Sequence, residues 1–331
     1  MQSFARVLLA FLSLAVFASA QTTAPQRHFT FHYGFTVRGI TPGQPLRVWI
    51  PLAHSDLFQD VKVISEQSDL SLKHTREREY GDEILYAETP SAKKSEYAFE
   101  VAYDVVRRES SAHQAGALRA AQEKRLLSPD KLVPTNGLPA DLAARQVASV
   151  TGGDYAKARA LYDYVLANMR YDKTGTGWGH GDTLYACNAK HGNCTDFHAL
   201  FISMARSQKI PARFEIGFSI PTDRHSGEIP GYHCWADFYT KDHGWVPVDI
   251  SEAWKHPDQR EFFFGRWDDN RIQFSVGRDI TLTPKQDGEA LNYFVYPYVE
   301  VNHKEHANVS THFAFEDMNA TPVNRAAIAG R

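Results

Sequence analysis

Cysteine is scarce in this sequence of 331 residues, with three in all and no Cys-x-x-Cys pair among them. Three cysteines are too few for a disulfide-stapled fold, and the missing pair leaves little basis for a structural zinc site. Lys and Arg form no run and the formal net charge is −3, so nucleic acid is not an expected partner. The glycine-rich stretch GTGWGHGD (175–182) lacks the ending of a phosphate-binding loop. We therefore expect no cofactor and no metal.

Long apolar segments are also missing, except at the start of the chain. VLLAFLSLAVF (7–17) follows one positive charge and precedes the small-residue triplet ASA (18–20), a pattern typical of a cleaved export signal. This pattern predicts a signal peptide over residues 1–20 with cleavage near Ala20, and an uncleaved anchor is the alternative. The mature chain is then expected in the periplasm or secreted, and not as an integral membrane protein.

The periodicity of the apolar residues changes along the chain. HFTFHYGFTV and three later segments alternate in the way of strands, which predicts an N-terminal β-sandwich-like domain over residues 21–108. Helical spacing then dominates, and strands return after Pro211, so residues 109–256 are predicted to form a mixed core. A C-terminal β extension (257–305) and a flexible tail (306–331) complete the predicted α+β architecture.

One cysteine occupies a position suited to chemistry. In HGNCTDFHALFISMARSQKIPAR (191–213), Cys194 stands at the start of an amphipathic helical pattern. The N-terminus of a helix lowers the pKa of a thiol and presents N–H groups to a developing oxyanion. A buried structural cysteine at a helix start is the alternative, because free cysteine is often buried.

A base and an orienting carboxylate follow in GYHCWADFYTKDHGWVPVDI (231–250). If the turn of this hairpin centres on Lys241, His233 and Asp249 lie directly opposite each other on the same face. Pro247 cannot donate a ladder hydrogen bond, so it is expected opposite Trp235 in a non-hydrogen-bonded pair, with His233 and Asp249 about 4.5 Å apart at Cα. A carboxylate there would fix the imidazole tautomer and stabilise its protonated form.

Two other interpretations concern the same residues. His198 lies one helical turn after Cys194 and is a rival base, but it would sit deeper along the helix, so we expect it to pack behind the site. Zinc could be bound by Cys194, His198, Cys234 and His191, although their spacing fits none of the usual zinc motifs.

At these residues the sequence resembles the transglutaminase-like superfamily, which includes transglutaminases, proposed bacterial cysteine proteases and peptide-processing amidases. The resemblance runs from about Ala140 to Ser251 and rests on HGNCTDFHALFISMARSQKIPAR, GYHCWADFY and GWVPVDIS in that order. It implies a papain-like core, in which a cysteine-bearing helix packs on an antiparallel sheet. Cys194 would be the nucleophile, His233 the general base and acid, and Asp249 the orienting carboxylate.

The resemblance also implies a second oxyanion donor upstream of the cysteine, for which Trp178 and Tyr171 are both candidates. His198, Asp196 and Trp235 are expected to support the three reacting residues without reacting themselves. The other two cysteines, Cys187 and Cys234, are expected to be free thiols, with a Cys187–Cys234 disulfide or an inhibitory Cys187–Cys194 bridge as alternatives.

The sequence therefore predicts an exported thiol acyl-transfer enzyme that acts on amide bonds of peptides or proteins through a thioester. Hydrolysis and transamidation remain equally open, because the same three residues serve both. A catalytically silent binding module of the cell envelope, on the same fold, is the alternative function. No oligomeric state is predicted.

Overall fold

The computed structural model describes residues 24–114 and 116–318, so the predicted signal peptide lies outside the described residues. The helices are α1 (Ala120–Leu127), α2 (Leu138–Val147), α3 (Asp154–Asn168), α4 (Thr183–Ala189), α5 (Cys194–Ser207) and α6 (Ile250–Lys255). The strands of the first half are β1 (Gln26–Arg38), β2 (Leu46–Leu52), β3 (Gln59–Ser68), β4 (Leu72–Arg76), β5 (Glu83–Thr89), β6 (Glu96–Arg108), β7 (Ser110–Ser111), β8 (Arg170–Tyr171) and β9 (His191–Gly192). Those of the second half are β10 (Ala212–Ser219), β11 (Ser226–Glu228), β12 (His233–Thr240), β13 (Gly244–Val248), β14 (Arg266–Trp267), β15 (Arg271–Val276), β16 (Tyr298–Val301), β17 (Lys304–Glu305) and β18 (Val309–Asp317). None of the helices in the described part of the chain has the length and apolar character needed to cross a membrane.

Three larger sheets organise the described residues. Two five-stranded sheets have the orders β11-β18-β1-β6-β3 and β17-β16-β2-β5-β4, and a four-stranded sheet has the order β13-β12-β10-β15. All strand pairs in these sheets are antiparallel, whereas the short pair β8–β9 is parallel. The predicted α+β class, with a cysteine-bearing helix on an antiparallel sheet and a β-rich N-terminal region, is confirmed.

Helix α5 is the centre of the core formed with the four-stranded sheet. Every residue from Cys194 to Arg206 is buried, because α5 contacts β12 and β10 on one side and α2, α3 and α4 on another. The amphipathic pattern underestimates this burial, since polar residues of α5 are enclosed as well. Arg206, for example, pairs with the buried Asp130 at 2.6 Å. The cysteine thus stands on a rigid, fully packed element.

An aromatic layer joins the N-terminal strands to this core. Phe31 and Tyr33 of β1 contact Phe274 of β15 at ring-centroid distances of 5.6 and 5.4 Å, and Phe31 lies 5.2 Å from Phe218 of β10. Aromatic pairs at these distances contribute beyond their buried area. The β-rich region is therefore packed directly against the sheet that carries His233.

The C-terminal segment forms a strand of a β-sheet and packs into the core. This differs from the predicted domain boundaries. Residues 306–331 were predicted as a flexible tail, but Val309–Asp317 forms β18, which pairs with β1 from Phe29↔Asp317 to Val37↔Val309. Its apolar residues Phe313 and Phe315 are buried against the core. Two of its nine positions are apolar and buried, so the surrounding polar residues conceal the strand from a reading of composition.

Candidate active site

The sequence around Cys194 starts a helix for local reasons. The side chain of Asn193 accepts a hydrogen bond from the Thr195 N–H at 2.9 Å, and the Asp196 carboxylate accepts one from the Asn193 N–H at 2.9 Å. This reciprocal capping box places Cys194 at the first helical position. The Cys194 N–H is consequently one of the donors without an intrahelical acceptor.

Asp196 also holds the glycine-rich loop against the helix. Its carboxylate accepts hydrogen bonds from the N–H groups of Gly179 (2.7 Å) and Gly181 (3.0 Å), in addition to Asn193. A Cβ at Gly181, which has a positive φ, would lie 2.7 Å from the Thr195 side chain, so glycine is required for this close approach. The Asp196 carboxylate thus docks the glycine-rich loop against the start of α5.

The register of the β12–β13 hairpin differs from the predicted one. Thr240 pairs with Gly244 and Asp237 with Pro247, so the turn centres on Asp242 and Pro247 does not face Trp235. Gly244 supplies the positive φ with which the chain leaves this three-residue turn. His233 and Asp249 are therefore diagonal rather than directly opposite, and β13 ends one residue before Asp249, which caps α6.

His233 and Asp249 nevertheless meet. The His233 Nε2 atom lies 2.7 Å from Asp249 Oδ2, and the two side chains are buried, with 4% and 0% of their residues' surface exposed. The Cys194 residue is 2% exposed, and His233 acts on its thiol to lower the pKa. Because Nε2 is engaged by Asp249, Nδ1 is the imidazole nitrogen left for the thiol.

Asp249 is held by four donors. Oδ2 accepts from His233 and from Arg271 Nη1, the latter at 3.0 Å. Oδ1 accepts from the Ser251 hydroxyl and from the Glu252 N–H, both at 3.0 Å. A buried carboxylate with this many partners stays ionised and fixed in orientation.

The electrostatics favour an ion pair between thiol and imidazole. Burial opposes ionisation of Cys194, but hydrogen bonds from Cys234 and His233 and the charge of His233 lower the pKa of Cys194 well below its usual value. Burial also opposes the protonation of His233, yet the charge and hydrogen bond of Asp249 raise the pKa of His233 to about 10. Against the effect of burial, His233 and Arg271 lower the pKa of Asp249 far below its usual range.

His198 is committed to the backbone on both sides of its ring. The Ile250 N–H donates to Nε2 at 3.1 Å, so Nε2 carries a lone pair and Nδ1 carries the proton, which it donates to the Cys194 carbonyl at 2.8 Å. Burial lowers the pKa of His198, in agreement with this neutral form. The histidine links the start of α5 to the start of α6.

The other predicted residues occupy different positions around the site. The Trp235 indole donates to Glu215 Oε2 at 2.9 Å, and its ring lies 5.8 Å from that of His233. Trp178 is half-buried and its indole donates to the Gly175 carbonyl at 3.2 Å. Tyr171 is half-buried, and burial together with the charge of Cys194 raises its pKa, so its hydroxyl stays protonated.

All three cysteines are free and buried. Cys234 lies against the first turn of α5, with its thiol 3.8 Å from both Thr195 Oγ1 and His198 Nδ1. Burial raises the pKa of Cys234 well above its usual value and the pKa of Cys187 to about 11. Within residues 24–114 and 116–318, no three His, Cys, Asp or Glu side chains are grouped so that they could hold a metal ion.

Three contacts of the site were missed by the sequence analysis. Ser251 lies two residues after Asp249 and could have been noticed as a local partner of that carboxylate. Arg271 is an arginine at the start of an apolar strand, and nothing in the sequence indicates which carboxylate it meets. Tyr232 precedes His233, and its hydroxyl lies 2.8 Å from Thr195 Oγ1 and accepts from Asn193 Nδ2 at 3.0 Å. These contacts depend on tertiary packing.

Residues 141–250 match the model of the transglutaminase-like superfamily. An uncharacterized protein of Haemophilus influenzae is 26% identical over 324 residues, which cover 85% of this chain and 87% of the relative. The crystal structure of a proposed cysteine protease from Cytophaga hutchinsonii superposes with a TM-score of 0.59 and 14% identity, over 90% of this chain and 92% of that one. At this identity the superposition shows a shared fold.

Proposed function

We propose that this protein, whose residues 141–250 match the model of the transglutaminase-like superfamily, is a cysteine-dependent acyl-transfer enzyme acting on peptide or protein amide bonds. Cys194 is the nucleophile, His233 the general base and acid, and Asp249 the orienting carboxylate. The observation that carries the proposal is the chain of contacts from the helix-start thiol through His233 to Asp249. An activated thiol, a base and an oriented third group are what nucleophilic catalysis by cysteine requires.

In this mechanism the Cys194 thiolate attacks the carbonyl carbon of the amide. The carbonyl π electrons move to oxygen, and the resulting tetrahedral intermediate collapses with a proton passing from His233 to the leaving nitrogen. The products of this half-reaction are a free amine and a Cys194 thioester. His233, now neutral, then takes a proton from water or from an amine as it attacks the thioester, and the thiolate is restored.

Two donors are assigned to the oxyanion of the intermediate. The first is the Cys194 N–H, which has no intrahelical acceptor because of its position in α5. The second is the Tyr171 hydroxyl, whose position next to the cysteine is set by the pairing of Tyr171 with Gly192. Tyr171 is preferred to Trp178, since the indole N–H of Trp178 already donates to Gly175.

The predicted signal peptide supports the proposal that this activity is outside the cytoplasm. Residues 7–17 are apolar apart from Ser13 and precede the ASA triplet, as in cleaved export signals. N-terminal sequencing of the exported protein should give a start near Gln21. A mature protein that retains Met1 would contradict this part of the proposal.

Thiol labelling and mutagenesis test the proposed activity. Cys194 should react with iodoacetamide well below pH 8, the region in which an ordinary thiol of pKa about 8.5 is protonated. Cys187, whose pKa is raised to about 11, serves as the internal control and should react slowly. Cys194→Ala should abolish turnover of a peptide pool while the protein stays folded. Full activity of that variant, or equal slow labelling of all three cysteines, would favour the silent binding module.

The fate of the thioester distinguishes the two reaction types. Peptide pools should be incubated with the enzyme, with and without an added primary amine, and the products analysed by mass spectrometry. A hydrolase gives carboxylate products in both samples, whereas a transamidating enzyme gives amine-adduct masses that require Cys194. Either product supports the acyl-transfer proposal. The absence of any product from both samples contradicts it.

A further inference from the structure

Arg271 contacts the site from outside the matched segment, as Ser251 and Glu252 also do, but it comes from a distant strand. It begins β15, at the edge of the four-stranded sheet opposite to the β13 edge, and 1% of its surface is exposed. Its Nη1 donates to Asp249 Oδ2 at 3.0 Å, on the same oxygen atom that bonds His233. A buried guanidinium that shares an acceptor oxygen with the imidazole can affect the orientation and the charge balance of that carboxylate.

The side chain of Arg271 is itself held rigidly. Its Nε donates to Asp268 Oδ1 at 3.3 Å, and its guanidinium lies 4.7 Å from the Trp235 ring centroid and 5.9 Å from that of Trp267. Stacking on indole faces and ion pairing are both favourable for a desolvated guanidinium. Arg271 therefore presents its Nη1 to Asp249 from a fixed position.

We propose that Arg271 is a positioning residue of the acyl-transfer site, which fixes Asp249 and supplies the positive charge that balances it. This inference rests on the proposed function. With Arg271 in place, the four charged groups, Cys194⁻, His233⁺, Asp249⁻ and Arg271⁺, sum to zero in a buried region. Without it, the region carries a net negative charge, and Asp249 loses one of the donors that define its orientation.

Both consequences of losing Arg271 act on the nucleophile in the same direction. The loss of a nearby positive charge makes the Cys194 thiolate less favourable, and a less well oriented Asp249 stabilises the His233 imidazolium less. The other charged groups near Arg271, which are Asp268, Glu252 and Arg107, remain unchanged. The groups that act on the thiol besides His233 include Cys234, His198, Asp196 and Lys255, and they are also retained.

The test follows the rate of Cys194 alkylation by iodoacetamide as a function of pH, which requires no substrate. In Arg271→Met the midpoint of thiol reactivity should move to higher pH by about one unit, and in Arg271→Lys, which keeps the charge but loses the planar fork, by less. The kcat for a peptide substrate should fall with little change in KM, because Arg271 acts on the reacting groups and not on substrate binding.

Arg206→Met is the matched control. Arg206 is equally buried, with 1% of its surface exposed, and pairs with Asp130 at the other end of α5. The Arg206→Met variant should lose stability as Arg271→Met does. Its pH midpoint of Cys194 alkylation should remain that of the wild type. Folding of each variant is checked by thermal unfolding, and Arg271→Lys maintains the test if Arg271→Met does not fold.

The outcomes separate this inference from the proposed function. A wild-type Cys194 that labels only as an ordinary thiol would overturn the proposed function itself. A reactive wild-type thiol whose midpoint is unchanged in folded Arg271→Met or Arg271→Lys would overturn the inference alone. An equal shift in Arg206→Met would show that the loss of any buried arginine produces the effect, and would also overturn it.

Discussion

Two histidines flank the candidate nucleophile, and their hydrogen bonds give them opposite protonation states. His233 bonds a carboxylate, which raises its pKa to about 10, whereas His198 bonds two backbone groups and its burial lowers its pKa. A base that is to pair with a thiolate must hold a proton near neutral pH, so the carboxylate contact supports His233 as the proposed base. At the residue scale, the partner of each ring explains its role better than its distance along the chain from Cys194.

Substitution of the two histidines should separate these roles. In His233→Ala, the alkylation of Cys194 should require a pH above about 8, because the thiolate loses its counter-charge. His198→Ala should leave the low-pH reactivity largely intact but lower the free energy of unfolding by about 2–4 kcal/mol, through two lost buried hydrogen bonds and a cavity. Alkylation rates across pH and urea unfolding measure the two effects. Loss of low-pH reactivity in His198→Ala alone would assign it as the base.

At the scale of elements, the start of α5 and the glycine-rich loop form one unit through Asp196. Its carboxylate accepts from N–H groups of both, at Asn193, Gly179 and Gly181. In this unit the carbonyl oxygen of Gly179 lies 3.5 Å from the Tyr232 hydroxyl, which donates to it. The helix N-terminus that carries Cys194 is thus held by side-chain to backbone bonds on the side of the loop.

Asp196→Ala should consequently be more damaging than the loss of an ordinary helix cap. We expect a decrease of about 3 kcal/mol or more in the free energy of unfolding, because three backbone donors lose a buried acceptor. Asp182→Ala is the control, since Asp182 caps α4 through the N–H groups of Leu184 and Tyr185 and should cost about 1 kcal/mol. Chemical denaturation of both variants makes the comparison, and equal losses would contradict the special role of Asp196.

The four-stranded sheet contains a carboxyl pair whose ionisation should affect stability. Burial, and then the charge of Asp237, raise the pKa of Glu215 to about 8, although Arg213 opposes this. The unfolded carboxyl has a pKa of about 4.3, so between that pH and about 8 the folded state holds a proton that the unfolded state does not. The free energy of unfolding contributed by Glu215 should therefore fall as the pH rises through this window.

Glu215→Gln should remove this contribution. Between about pH 5 and about pH 8 the free energy of unfolding should decrease less in Glu215→Gln than in the wild type. The difference between the two decreases should be on the order of 3 kcal/mol. Comparison of the two slopes cancels the titration of groups common to both proteins, including His233. Urea unfolding at a series of pH values provides the measurement, and parallel slopes would show that Glu215 is ionised throughout the range.

At the scale of the whole molecule, strands near the two ends of the described chain pair with each other and complete the sheets. β18 pairs with β1 in one five-stranded sheet, while β15 completes the four-stranded sheet and β16 pairs with β2. The Phe313 ring of β18 lies 4.5 Å from Phe218 of β10 and 4.9 Å from Tyr33 of β1. The segment matched by the family model, residues 141–250, thus depends on strands that lie outside it.

Phe313→Ala tests this dependence. The loss of a buried phenylalanine should lower the free energy of unfolding by about 3–5 kcal/mol. Thr311→Ala, at an exposed position of the same strand, should change it by less than about 0.5 kcal/mol. If denaturation of Phe313→Ala leaves the four-stranded core as stable as in the wild type, the strands outside residues 141–250 do not support that core.

Features that depend on neighbours along the chain could be predicted from the amino-acid sequence. The capping residues Asn193 and Asp196 and the apolar spacing after them fix where α5 begins, and a hairpin with His233 on one strand and Asp249 at the end of the other follows from strand and turn patterns. The α+β class follows from the change of period. Each of these rests on interactions within a few residues or across one turn.

The remaining features could not be predicted from the sequence, because they depend on contacts between distant segments. The hairpin register shifted to a turn at Asp242, so His233 and Asp249 meet diagonally, which the even spacing of strand residues cannot reveal. Arg271 reaches Asp249 from 22 positions away, and β18 joins β1 across most of the chain. A charged or polar residue in the sequence does not indicate its partner; packing of the sheets brings the two together and makes the buried contact favourable.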